Sequence, residues 1–275
     1  MHAKITWLTT ENKGTDQVMY EQWEVTLPEL TGEETRNAYI YVPDEAAEDP
    51  DLRFPVLYMF DGQNLFFDQD ATYGKSWGIK DYLEENHIPL IVAAIECSHH
   101  DEADACGGRL SEYSPFDFRF HRSRQQIIGR GRLTMEYYVN EFKPYVDGRY
   151  PTIPDREHTF ISGSSMGGLM TLYAVLEYNH VFSRGAALSP SLLFSPDRIR
   201  EMIRKSEIGP TVLYMDNGAE EMHSLRSKQL YADICGRLIK KGVLLDSRVV
   251  PGGTHCEASW ERQIPFFMET LFYEL

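Results

Sequence analysis

Two stretches near the start of the chain, 20–27 and 35–42, place apolar side chains at every second position, which predicts a pair of antiparallel strands within 18–42. An acidic loop over 43–53 follows, and then the pattern changes. Short apolar runs at 54–60, 90–96, 158–162, 184–188, 211–215 and 247–250 read as buried strands. Between and after them, helical spacing predicts helices over 77–86, 133–146, 167–178, 197–205, 224–241 and 257–272. The helix over 224–241 closes on Lys240 and Lys241 before Gly242, cations and then a glycine, as a helix C-terminus favours. Strands that alternate with helices predict an α/β fold: a mostly parallel central sheet, antiparallel strands at its N-terminal side, and helices on both faces. No repeat, low-complexity tract or linker interrupts the pattern, so 1–275 is read as one domain.

Composition narrows the function. The chain carries 27 Lys and Arg against 42 Asp and Glu, a net charge of −15. This argues against a nucleic-acid partner, which needs a basic footprint, and against docking on anionic membranes. No apolar run approaches the roughly 20 residues of a membrane span, and the segment Met1 to Trp7 lacks a signal-peptide core. Cys97, Cys106, Cys235 and Cys256 form no paired motif. They are read as free thiols, and the expected location is the cytoplasm. The sequence leaves a homo-oligomer open.

The candidate chemistry centres on Gly163-Ser164-Ser165-Met166-Gly167, a G-x-S-x-G pentapeptide between a β-type run and a helix-type run. Strand, tight turn and helix together make this pattern a nucleophile elbow. The turn should strain Ser165 and lift its hydroxyl above the sheet edge. Met166 should offer its backbone N–H at a helix N-terminus, where positive dipole meets developing oxyanion charge. A serine alcohol needs a base. Of nine histidines only His180, His223 and His255 follow Ser165. His255 sits after a short strand and the Pro251-Gly252-Gly253 loop, which lets it return to the serine. Asp216, Glu220 and Glu221, beyond the run at 211–215, all qualify by position as the acid that orients the imidazole. Glu221 has the better reach toward a loop histidine.

The chain resembles the esterase D-like group of α/β-hydrolases from about Glu21 onward. That group includes S-formylglutathione hydrolases, feruloyl and acetylxylan esterases, siderophore esterases and mycolyltransferases. The resemblance rests on the run from Val56 to Phe66, on Arg109-Leu-Ser-Glu-Tyr-Ser-Pro115, on the pentapeptide, on Ala187-Leu-Ser-Pro-Ser191, on Asp216-Asn-Gly-Ala-Glu-Glu221 and on Gly252-Gly-Thr-His255 with Trp260. It implies Glu221 as the acid, at a position where the family usually carries Asp, and the backbone N–H of Gln63 as the second oxyanion donor. Asp61, Asn64 and Trp260, within the same motifs, are candidate substrate contacts. Without the resemblance, Asp61-Gly62-Gln63-Asn64 still reads as a glycine turn that exposes amides at the carboxyl edge of the sheet.

Two loops remain. The stretch from Cys97 to Cys106 holds His99, His100 and several acids, but its spacing matches no metal-ligand pattern. The expectation is no metal and no cofactor. Arg119 and Arg122 belong to an arginine-rich stretch over 116–132. They are candidates for clamping an anionic substrate group, against a plainer reading as a solvated loop. The sequence therefore predicts a serine carboxylester hydrolase for small short-acyl or aryl esters, feruloyl or acetyl esters among them. The alternatives are a siderophore trilactone esterase and a catalytically silent binding module on the same fold.

Overall fold

The structure is a computed structural model, and it describes residues 19–103, 107–119 and 125–275. Its centre is an eight-stranded sheet in the order β1-β2-β4-β3-β7-β8-β9-β10. The strands are β1 (Met19–Thr26), β2 (Thr35–Val42), β3 (Val56–Met59), β4 (Ile91–Ile95), β7 (Thr159–Ser164), β8 (Arg184–Leu188), β9 (Val212–Gly218) and β10 (Leu244–Val250). A separate two-stranded ribbon pairs β5 (Phe118–Arg119) with β6 (Gln126–Ile127). β1 runs antiparallel to β2 with Met19 opposite Val42, and β2 runs antiparallel to β4. From β4 through β10 every pairing is parallel. This is the mostly parallel sheet that alternating strands and helices predict.

Both faces are covered. One apolar cluster packs side chains of the helices Met166–Glu177, Pro196–Lys205 and Leu225–Lys241 against the sheet, and a second packs Ile79–Glu85 and Ile264–Leu271 against the other face. β3, β4, β7 and β8 are buried at every position. That is why their sequences read as continuous apolar runs rather than as alternation.

Three elements differ from the sequence expectation. β9 does not stop at Met215 but continues through Asp216 and Asn217 to Gly218. Pairing with β10, where Arg248 lies opposite Asp216 and Val250 opposite Gly218, carries polar residues of low strand propensity into the sheet. The single helix expected over 257–272 is two, Glu257–Glu261 and Ile264–Leu271. Pro265 has no amide to donate to the turn before it, so the chain breaks there and restarts with Pro265 in the first turn. The helix expected over 133–146 runs from Gly131 to Arg149 with a π turn at Tyr138–Phe142. Tyr138 in that turn donates its hydroxyl to the Met59 carbonyl at 3.1 Å.

Candidate active site

Ser165 lies between the end of β7 and the first residue of the helix Met166–Glu177, with φ 59° and ψ −116°. A non-glycine residue in this region is strained, and the surroundings must hold it there. Its N–H donates to the Leu188 carbonyl at 2.9 Å, and its carbonyl accepts from the Ser191 N–H at 3.0 Å and the Leu169 N–H at 3.1 Å. The flanking glycines permit the turn. A Cβ at Gly163 would come within 2.8 Å of the Gly167 backbone, and one at Gly167 within 3.1 Å of Phe60.

His255 reaches the serine from the loop after β10. Its Nε2 lies 2.9 Å from Ser165 Oγ, and its Nδ1 lies 2.5 Å from Glu221 Oε2. A carboxylate can only accept, so in the neutral imidazole Nδ1 carries the proton and Nε2 is left to accept from the serine hydroxyl. Trp260 stands edge-on to the imidazole at 5.1 Å between ring centroids. Glu221 follows β9 in the short turn Ala219–Glu221. Its second oxygen, Oε1, accepts from the Ser189 hydroxyl at 2.6 Å and the Gly218 N–H at 3.0 Å. Burial works to raise this carboxyl, but His255, Ser189 and Gly218 together hold it below the ordinary glutamate value.

The other candidate acids face elsewhere. Asp216 is buried within β9, where it accepts from the Ser189 N–H at 2.9 Å and the Tyr214 hydroxyl at 3.0 Å. Burial pushes its carboxyl up to about 7, against the lowering effect of those two donors. Glu220 is exposed, and its N–H donates to the Gly253 carbonyl. His180 and His223 are both exposed.

On the other side of the serine, β3 ends in the turn Gly62–Asn64, entered through Asp61 in a left-handed conformation at φ 58°. A Cβ at Gly62 would lie 2.8 Å from the Tyr39 ring of β2 and 3.0 Å from the Ile95 backbone of β4, so the turn hugs the sheet beside it. The turn also abuts the elbow, since a Cβ at Gly167 would meet Asp61 Oδ2 at 3.5 Å. Asp61 itself is bound bidentately by Arg109, at 2.6 and 2.7 Å, and Asn64 Oδ1 accepts from the Thr72 N–H at 2.9 Å. Both side chains are engaged within the fold. The Gln63 amide group bonds Cys97 Sγ at 3.4 Å, and Trp260 donates Nε1–H to the Ser189 hydroxyl at 3.1 Å.

Beside Ser165, His255 and Glu221 opens a cavity of about 560 Å³. Pro190, Leu192, Leu193 and Phe194, from the loop after β8, form one wall, and Met222, Leu230 and Tyr231 form another. The Tyr231 hydroxyl is spent on the Met215 and Arg248 carbonyls, so Tyr231 serves the cavity with its ring. Ser191, Asn217 and Ser227 supply the polar groups. Arg119 is exposed on β5 and does not line this cavity, although its neighbour Phe118 stacks on Phe194 at 4.7 Å. Arg122 falls outside the described residues. Among the described residues no group of three or more His, Cys, Asp or Glu is placed to hold a metal ion, and no helix is long and apolar enough to cross a membrane.

Ser189 lies inside the Ala187–Ser191 motif, but nothing in the sequence marks a role for it. Its φ of 42° turns its hydroxyl to Glu221 and its amide to Asp216, a geometry that no local residue pattern announces.

Residues 30–268 match the sequence profile of the family described as “Putative esterase”. The chain belongs to this esterase family. The esterase is 24% identical over 198 residues to the uncharacterized protein YbbA of Bacillus subtilis strain 168, covering 70% of this chain and 72% of that one. Among solved structures it is similar to an IroE-like serine hydrolase from Shewanella oneidensis, with a TM-score of 0.69, 20% identity, and coverage of 92% of this chain and 78% of that one. It is also similar to the siderophore hydrolase EstA from Aspergillus nidulans, with a TM-score of 0.68, 18% identity, and coverage of 95% and 98%. These structural likenesses give the α/β-hydrolase type of fold, and the family makes the protein an ester hydrolase acting on small-molecule esters.

Proposed function

We propose that Ser165, His255 and Glu221 form the catalytic triad of a serine carboxylester hydrolase whose substrates carry an aryl or medium-length apolar arm. The observation that carries this reading is the unbroken chain from Ser165 Oγ through both imidazole nitrogens to Glu221. Ser165 attacks the ester carbonyl while His255 Nε2 takes its proton, and Glu221 stabilises the imidazolium that results. The N–H groups of Met166 and Gln63 receive the oxyanion of the tetrahedral intermediate. His255 then protonates the departing alcohol and the acyl-enzyme remains. A water molecule, deprotonated by the same nitrogen, releases the acid and restores the serine.

The arm is assigned from the cavity, whose apolar and aromatic walls fit a flat ring or a medium-length chain, with Asn217 available to a ring hydroxyl. Feruloyl-type esters meet this description, and the siderophore trilactone expected from the sequence is the second substrate to compare, the Aspergillus relative being named a siderophore hydrolase. The test is hydrolysis of p-nitrophenyl esters from acetyl to decanoyl, beside methyl ferulate and a catecholate trilactone, by wild type and Ser165→Ala. We expect serine-dependent turnover, with the variant reduced by at least about 10⁴-fold. Turnover that survives Ser165→Ala would refute the triad, and preference for acetyl over every longer or aromatic acyl group would refute the arm.

A further inference from the structure

Among the described residues β10 closes the sheet on one side and pairs only with β9, so its outer edge presents peptide groups that no described strand pairs. Leu244 donates its N–H to the Thr211 carbonyl at 2.9 Å, on the β9 side. Peptide groups alternate along a strand, so those of Leu244, Asp246, Arg248 and Val250 serve β9. Those of Leu245, Ser247 and Val249 face outward. Edge strands are usually blunted by shortness, bulges or charges that repel a second edge. β10 has seven residues in register with β9, and Leu244 and Val249 are each 51% exposed. Phe266 and Ile239, on the helices to either face, are exposed as well.

The charges on this edge do not repel a copy of themselves. The sequence Leu244-Leu-Asp-Ser-Arg-Val-Val250 is self-complementary about Ser247. With a second copy laid antiparallel across a twofold axis at Ser247, Ser247 faces Ser247 of that copy and Leu245 faces its Val249. Asp246 then faces its Arg248, and Leu244 its Val250. The hydrogen-bonded pairs in this register are those of 245, 247 and 249, the same residues whose peptide groups face outward. Asp246 and Arg248 fall at the non-hydrogen-bonded pairs, where opposing side chains approach most closely and opposite charges stabilise. Both side chains lie on one face of the sheet, against the helix Ile264–Leu271. Asp246 accepts from Thr270 Oγ1 at 3.2 Å, and the Arg248 guanidinium lies 3.5 Å over the Phe266 ring.

We propose that β10 is the interface of a twofold homodimer, in which the two sheets join edge to edge in the register centred on Ser247. The interface is isologous, each copy giving the same patch and receiving it, and the Asp246–Arg248 pair occurs twice. The test is sedimentation velocity of the full chain at micromolar concentration. Wild type should sediment as a dimer. Asp246→Arg and Arg248→Asp each set like charges opposite one another and should raise the dimer dissociation constant at least about ten-fold. The combined exchange of both should restore dimerisation. Val249→Glu, at an exposed position that needs no charge partner, should also weaken the dimer. Turnover of p-nitrophenyl acetate reports that each variant has folded. A monomeric wild type, a dimer indifferent to the single reversals, or a double variant no better than its parents would each overturn the register.

Discussion

At the inner end of β9 Asp216 is enclosed by Tyr214, Ser189 and the sheet, while one short turn later Glu221 stands at the cavity mouth beside His255. The two carboxyl groups share a neighbour, since Ser189 gives its N–H to one and its hydroxyl to the other. Their electrostatic states diverge. Burial dominates at Asp216 and pushes it up to about 7. At Glu221 three donors, one of them able to become a cation, outweigh burial and hold it down. A carboxylate that stays ionised and faces an imidazole can stabilise an imidazolium. One that holds its proton near neutrality serves as a structural hydrogen-bonding group. The difference comes from what each group meets, not from its distance along the chain.

The sharpest way to break this contrast is Glu221→Gln. It keeps the shape but removes the charge and can present the wrong partner to Nδ1. We expect kcat for p-nitrophenyl butyrate to fall by about 10³- to 10⁴-fold with little change in melting temperature. A loss under ten-fold would move the acid's role to another residue. Ser189→Ala leaves Glu221 with His255 and the Gly218 amide, and should reduce kcat by about ten-fold, the worth of one hydrogen bond to a charged group. An equal loss in KM with kcat unchanged would instead make Ser189 a wall of the cavity.

Asp216→Asn should change kcat by less than about three-fold, and its signature should appear in stability. The folded state holds the Asp216 proton to about pH 7, whereas an unfolded aspartate releases it near 3.8. The stabilisation from this group is therefore complete below about pH 4 and is lost as pH rises through 7. Over that window the loss is on the order of 4 kcal/mol. Asparagine carries no such proton, so melting curves should show the variant gaining on wild type from pH 4 to pH 8. Parallel pH profiles would mean that the Asp216 carboxyl titrates as it does in water.

Much of this arrangement was legible in the sequence. The elbow is local: Gly163, Ser165 and Gly167 must stand at those spacings for β7 to turn into a helix without collision, so the pentapeptide and its flanks carry the geometry. The loop Pro251-Gly252-Gly253 likewise announces a turn that frees His255 from β10. The choice among Asp216, Glu220 and Glu221 was not local. It depends on β9 running three residues further than its apolar run, because β10 pairs with it as far as Gly218. That extension buries Asp216 and starts the turn late enough for Glu221 to swing to the histidine. Ser189 and the cavity wall after it were hidden for the same reason, since their roles arise only when β8 and β9 lie side by side. The split at Pro265 was visible in principle, but the apolar spacing continued across it.

Arg184, at the start of β8, is buried, and it donates to the carbonyls of Leu271 and Tyr273 at 2.9 and 2.6 Å. During synthesis the arginine leaves the ribosome long before those carbonyls exist, so a nascent chain with its central strands assembled still carries an unmatched cation at the base of the sheet. Such an intermediate keeps water at that end until the closing helix docks. The same helix follows the segment that bears His255. Sealing of the interior and arrival of His255 beside Ser165 thus both wait on residues 251–273.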